Sequence, residues 1–318
     1  MNPVLLTGAT GFIGQHLQKA LLAEQIPVQA VVRPSSSHKN SLLDGVDRLL
    51  ADLDDSERLV PAISGASAII YCAGAVRGRQ LKDFANANID GVRSVVSAMN
   101  RADTNIPLLL ISSLAASRPQ VSDYANSKYL GEQEVKNHAA FPWTIFRPPA
   151  VYGPGDKEML PVLKLARRGL VMPPGPMNQK LSLIYADDLA SAGLAWLKCW
   201  DRCTHQVFTL DDGHNGGYDW REIAETVSHG SYRRMNLPNW ILFGAGHFNL
   251  ALSRLLGYAP MLTPGKAREL TQAHWVCNNK ALNKATGWFP ETDLEKGVHS
   301  LFGAPGKPHE KTQGDTIE

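Results

Sequence analysis

Three glycines at three-residue spacing, Gly8, Gly11 and Gly14, break an apolar run that begins at Pro3 and resumes as Phe12, Ile13, Leu17, Leu21 and Leu22 at helical spacing. The pattern predicts a strand, a tight turn and a helix. Gly8 turns the chain sharply off the strand, Gly11 leaves no Cβ between the backbone and a bound pyrophosphate, and Gly14 lets the helix sit close on the sheet. Amides opening that helix face the phosphates in such a turn, which brings Thr10, Phe12 and Ile13 into the same candidate site. A glycine triplet also serves plain loop geometry, so its position decides. A second apolar strand, Val28 to Arg33, follows after a helix-length interval and completes the βαβ unit that dinucleotide binding requires.

The alternation continues. Val46 to Leu53 reads as a short strand ending in Asp52 and Leu53, Asp54 to Ala62 as a charged helix, and Ala68 to Ala75 as an apolar strand. That strand ends in Cys72, Ala73 and Gly74, small enough for the backbone to approach a cofactor. A helix is expected over Leu81 to Arg101, then a continuous apolar strand, Leu108 to Ser113, of the kind buried on both faces of a parallel sheet. These features predict an α/β fold, a Rossmann-type doubly wound parallel sheet with a smaller, discontinuous C-terminal substrate region. After the strand Trp143 to Phe146, two prolines and two glycines mark departure from the sheet. The expected division is a dinucleotide-binding domain over 1–150, with 183–212 returning to it. The substrate region would cover 151–182 and 213–302, and 303–318 would be a disordered tail.

Where the second strand of such a fold meets the adenosine ribose, an acidic residue favours NAD; here Arg33 stands there, with serines and Lys39 following. A guanidinium attracts a 2′-phosphate, so NADP is preferred over NAD. The plain alternative is a basic solvated loop. Ser113 ends a strand at the carboxyl edge of the sheet, and Tyr124 and Lys128 lie four apart on one face of the next helix, which Ser122 or Asp123 caps. A tyrosine exchanging a proton near neutral pH needs a cation to favour its phenolate, and Lys128 is placed to supply one. Ser113 is placed to bond the same substrate oxygen.

Net charge is +2 with both signs well mixed, so nothing points to nucleic acid or an acidic surface. The four cysteines are scattered, as in a reducing compartment. Cys199, Cys203 and His205 lack a second ligand pair, so no metal is expected. With no charged leader or cleavage site, the expectation is a cytoplasmic enzyme. Trp240 to Leu256 is unusually apolar but shorter than a bilayer span and interrupted by His247, Asn249 and Arg254, so no integral membrane segment is expected. It reads as core packing or a dimer face, or as lining for an apolar substrate or contact with a membrane surface.

Thr7 to Gly14, Tyr124-Ala125-Asn126-Ser127-Lys128 and Arg147 to Pro154 together resemble the extended short-chain dehydrogenase/reductases, of the NAD-dependent epimerase/dehydratase and 3β-hydroxysteroid dehydrogenase type. The resemblance spans residue 3 to about 302. It implies a homodimer and a hydride moved between nicotinamide C4 and a substrate carbon. Tyr124 would be general acid/base, Ser113 would orient the substrate oxygen, and Lys128 would hold the nicotinamide ribose. It further implies a catalytic-site role for Asn88, and cofactor contacts from Asp52, Leu53 and Pro148.

Two departures narrow the substrate. Only about ten residues separate Ser113 from Tyr124, and an arginine that sugar-nucleotide epimerases commonly carry is Leu181 here, beside Lys180. The leading expectation is an NAD(P)-dependent oxidoreductase interconverting a carbonyl and an alcohol on a moderately apolar small molecule. The alternatives are a nucleotide-sugar epimerase or dehydratase that retains NAD, and an NADP(H)-binding sensor or assembly protein without turnover.

Overall fold

A computed structural model describes residues 2–36 and 42–303. The loop residues Ser37, His38 and Lys39 and the expected tail after Gly303 lie outside the described residues. In chain order the first half contains β1 (Val4–Thr7), α1 (Phe12–Ala23), β2 (Val28–Val32), β3 (Val46–Leu50), α2 (Ser56–Ser64), β4 (Ala68–Tyr71), α3 (Leu81–Ala85), α4 (Gly91–Ala102), β5 (Leu108–Ile111), α5 (Asp123–His138) and β6 (Trp143–Arg147). Then come β7 (Ala150–Tyr152), α6 (Leu160–Arg167), β8 (Leu170–Val171), β9 (Lys180–Leu181), β10 (Leu183–Tyr185), α7 (Ala186–Lys198) and β11 (Gln206–Thr209). The chain closes with α8 (Trp220–Ser228), β12 (Arg233–Arg234), α9 (Asn239–Leu256), α10 (Pro264–Leu270), β13 (His274–Trp275), α11 (Lys280–Thr286) and α12 (Leu294–Phe302).

Seven strands form one parallel sheet in the order β11-β6-β5-β4-β1-β2-β3. Strand residues alternate between its two faces. In β5, Leu109 and Ile111 join a core with Leu17 and Leu21 of α1 and Leu189 and Trp196 of α7, while Leu108 and Leu110 join Leu59, Val95, Met99 and Val135 beneath α2, α4 and α5. Covered on both sides, the sheet accounts for the continuous apolar runs of its strands. Strand order reverses between β1 and β4, which opens the crevice where doubly wound folds bind ligands.

Three stretches differ from expectation. The third strand ends at Leu50, and α2 starts at Ser56 because the Asp55 side chain caps the Arg58 amide at 3.2 Å. The long helix expected over 81–101 is divided by a wide turn, Asn86–Asp90. There the Ala87 carbonyl accepts from the Tyr71 hydroxyl at 2.6 Å, and the Asn88 carbonyl lies where a Cβ on Gly131 would come within 2.0 Å of it. Finally, β10 pairs with β7 outside the large sheet, whereas α7 packs on α1 and β11 joins β6. A third core, with Tyr152, Leu163, Ile223 and Val298, lies among α6, α8 and α12.

Helix α5 is fastened to the sheet by a buried charge. The Glu132 carboxylate, fully buried, accepts from Arg147 at the end of β6 at 2.8 and 2.6 Å and from the Ser112 hydroxyl at 2.7 Å, with Lys136 at 3.2 Å. Burial raises its pKa, but the bonds and charges of Arg147, Ser112 and Lys136 outweigh burial and hold it below the usual carboxylate range. One turn earlier, Lys128 donates to the Ile111 carbonyl at 2.9 Å. Because Glu132 is depressed, its stabilisation is present above its unfolded pKa and lost as pH falls through the folded one. Arg147→Ala, which strands that carboxylate, is expected to cost about 3–5 kcal/mol in urea unfolding at pH 7, and the gap to wild type should narrow as the solution is acidified below the carboxylate range.

Candidate active site

The turn after β1 is built against the end of β4. Gly8 has φ +69°, and a Cβ there would come within 2.6 Å of the Cys72–Ala73 peptide. The Cys72 and Ala73 amides both donate to the buried Thr7 hydroxyl at 3.2 Å, which fixes the two strand ends at the sheet's switch point. A Cβ on Gly14 would lie 2.2 Å from the Gly8 carbonyl oxygen, so α1 can approach this turn only with glycine at that position. Gly11 begins α1 without any side-chain cap, and the first-turn amides of Phe12 and Ile13 follow directly. Thr10 lies in the same turn. Arg33 is exposed at the end of β2, Asp52 is exposed and Leu53 half-buried after β3, and Gly74 is exposed beyond β4.

Asn88, though buried, reaches out of the wide turn. Its Oδ1 accepts from the Ala75 amide at 3.0 Å, and its Nδ2 donates to the Ala75 carbonyl at 2.9 Å and to Ser127 Oγ at 2.8 Å. It therefore ties the loop after β4 to α5. A Cβ on Gly74 would come within 3.3 Å of Asn88 Oδ1 and 3.6 Å of Lys128 Nζ, so these three groups converge. Pro148 is buried and its carbonyl accepts from the Leu114 amide at 2.8 Å, closing the edge beside Ser113.

Ser122 caps α5, accepting from the Ala125 amide at 3.0 Å, so Tyr124 and Lys128 project from one face at the sheet's carboxyl edge. The Ser113 hydroxyl, which accepts from the Ala115 amide at 3.2 Å, lies near enough to Tyr124 to favour its phenolate. Burial pushes that phenol above its ordinary pKa; Ser113 and the Lys266 charge pull it down, while Glu269 and Glu158 add to the rise. Lys128, held against the Ile111 carbonyl, is pushed down to about 8 by burial. The ammonium lying over the Tyr124 ring, 5.8 Å from its centroid, is that of Lys266. It donates to Glu269 at 2.9 Å, and Glu269 in turn accepts from the Ser122 hydroxyl, so α10 is latched to the cap of α5.

A cavity opens at Tyr124, walled by Phe84, Leu250, Pro260 and Met261 with Arg79, Lys266 and Arg268 among its polar groups. The sequence patterns did not single out Lys266, Glu269 or Arg79. Thr263-Pro264 does signal a helix start, but nothing local in the chain shows which tyrosine that helix faces. Cys199 donates to the Ala195 carbonyl at 3.0 Å and Cys203 is buried in the core. Among the described residues no three His, Cys, Asp or Glu side chains gather as a metal cage.

Residues 4–207 match the model of the NAD dependent epimerase/dehydratase family. The chain belongs to that family. It is 35% identical to a ceramide reductase of Caulobacter vibrioides over 94% of this chain and 90% of that protein. Identity to a 2-alkyl-3-oxoalkanoate reductase of Stenotrophomonas maltophilia is 26%, over 94% and 98% of the two chains. A UDP-glucose 4-epimerase of Thermotoga maritima, solved with UDP-glucose, has the same fold at TM-score 0.70 and 17% identity, covering 94% of this chain and 96% of its own.

As a member of this family the protein is an NAD(P)-dependent oxidoreductase, and the glycine turn, with the uncapped first-turn amides of α1 following Gly11, fits a nicotinamide dinucleotide's diphosphate. Gly14→Ala is expected to lower stability by about 1–3 kcal/mol through overpacking. It should also abolish the rise in melting temperature on adding NADPH or NADH, read by thermal denaturation with and without dinucleotide.

Proposed function

We propose that this protein reduces a ketone on an amphipathic, long-chain lipid of the ceramide kind to a secondary alcohol, with NADPH preferred over NADH. The observation that carries this reading is the cavity itself: Tyr124, with Ser113 beside it, faces apolar walls from α9 and the loop before α10, with cations among its polar groups. Similarity to a ceramide reductase over nearly the whole chain supports the substrate class. Against a nucleotide-sugar, Lys180 already donates to Glu222 at 3.1 Å and lies 3.6 Å from Asp219, so its charge is not offered to a diphosphate.

The dinucleotide, when bound, supplies the hydride that reaches the carbonyl carbon. Gly8 to Gly14 would hold its diphosphate, Arg33 a 2′-phosphate, and Asp52, Leu53, Cys72, Ala73, Gly74 and Pro148 would border it. Tyr124 donates its proton to the carbonyl oxygen while Ser113 hydrogen-bonds that oxygen; Lys128 would hold the nicotinamide ribose, and Asn88 keeps the 73–75 backbone and α5 in register. A phenol raised by burial keeps its proton at neutral pH, as a reductase acid must. Lys266 and Ser113 stabilise the phenolate left behind.

Ketone-bearing ceramide analogues offered with NADPH should be turned over, and Tyr124→Phe should lose about 10²-fold or more in kcat; undiminished turnover in the variant refutes the proton role. In the reverse direction, where Tyr124 must act as base, Lys266→Met should move the rise of rate with pH upward by about one pH unit. Glu269→Gln should move it downward. Arg33→Ala should raise KM for NADPH about tenfold and leave that for NADH nearly unchanged, consistent with the loss of one charge-assisted contact.

A further inference from the structure

Helix α9 is covered on one side only. Leu242, Gly246 and Ser253 are buried, and Gly246 sits where a Cβ would meet the Thr263 backbone at 3.0 Å. The opposite side is apolar and open: Trp240 is 76% exposed, Phe248 71%, Leu255 82% and Leu256 64%. Trp240, Gly244, Phe248, Ala251 and Leu255 follow one another at three- and four-residue steps, a single stripe along a helix about 27 Å long. Large apolar side chains clustered in the open mark a docking surface.

Charge identifies the partner. The sequence carries 30 acidic residues, yet none occurs from 226 to 268, while Arg233, Arg234, Arg254, Lys266 and Arg268 do. Lys266 is committed to Glu269, but Arg233, Arg234 and Arg254 are exposed. An apolar helix that carries Arg254, preceded in the chain by Arg233 and Arg234 of β12 and set in a segment with no carboxylate of its own, complements a negatively charged bilayer surface. Among the described residues no helix is long and apolar enough to cross a membrane, so the geometry is that of a helix lying in the interface.

The same segment walls the cavity at Tyr124. Leu250 lines it from the inner side of α9, Met261 from the following loop, and Asn249 holds that loop by donating to the Leu262 carbonyl at 2.9 Å. We infer that α9 docks the protein on anionic phospholipid bilayers, with its outer stripe in the headgroup region and its inner side facing the cavity. A lipid then reaches Tyr124 without crossing bulk water. The docking does not depend on the reaction proposed above, since it uses residues outside the cavity.

Co-sedimentation with phosphatidylcholine vesicles, with and without phosphatidylglycerol, tests this on the full chain with neither dinucleotide nor substrate added. Wild type should sediment with the phosphatidylglycerol vesicles and be released by raised salt. The triple variant Trp240→Ser, Phe248→Ser, Leu255→Ser should lose at least about tenfold in partitioning at an unchanged melting temperature. Arg233→Glu with Arg234→Glu should remove the preference for phosphatidylglycerol. Absence of wild-type binding to both vesicle types, equal binding by the triple variant, or a wild-type dimer that the triple variant separates would each overturn the inference. Turnover of a water-soluble ketone, read separately, distinguishes failure of the reaction from failure of docking.

Discussion

The site depends on one buried carboxylate. Glu132 lies two helical turns from Tyr124 and one from Lys128 on the same face of α5, and it joins Arg147 of β6 to Ser112 just after β5. A buried charge of this kind is costly unless every lone pair is used, so the helix has one acceptable height and rotation against the sheet. Fixing Glu132 therefore fixes Lys128 against Ile111 and Tyr124 against Ser113. The constraint is as much about position as about stability, because a one-residue rotation of α5 would expose the carboxylate to the apolar core that holds Val135.

A second constraint acts at the other end of the crevice. Thr7, Gly8 and Gly14 bring β1, β4 and α1 closer than any side chain would allow. Asn88 then carries the loop after β4 across to Ser127 on α5. The glycine turn and the tyrosine helix are thus parts of one hydrogen-bonded frame, in which local substitutions at Gly14 or Asn88 act on the geometry of both.

Much of this was legible in the sequence because it follows from local pattern. Continuous apolar strands, helix-length intervals, the glycine triplet and the four-residue step from Tyr124 to Lys128 are short-range signals, and the parallel sheet and family membership follow from them. What escaped was long-range or a matter of degree. The wide turn at Asn86–Asp90 is set by Tyr71 and by the approach of Gly131, neither of which is near it in the chain. The carboxylate of Glu132 looks in sequence like any surface helix residue; only the fold brings Arg147 to it. Spacing on one helix points to Lys128 as a cation for Tyr124, but it says nothing of a helix arriving from the C-terminal region, which is why Lys266, whose ammonium lies over the ring, was not legible.

That arrival has a physical consequence for how substrate choice and chemistry are linked. Glu269 bonds both Lys266 and the Ser122 cap of α5, so α10 influences Tyr124 through its charge and touches the helix that carries it. The same α10 packs on α9, and the loop between them forms the cavity wall. The position of α10 therefore sets where the Lys266 ammonium lies over the Tyr124 ring. Burial raises the Tyr124 pKa, and the Lys266 charge carried on α10 is among the influences that lower it. The loop and helix that form part of the cavity wall thus also carry the charge that lowers the Tyr124 pKa, so the shape of the cavity and its electrostatics are set by the same stretch of chain.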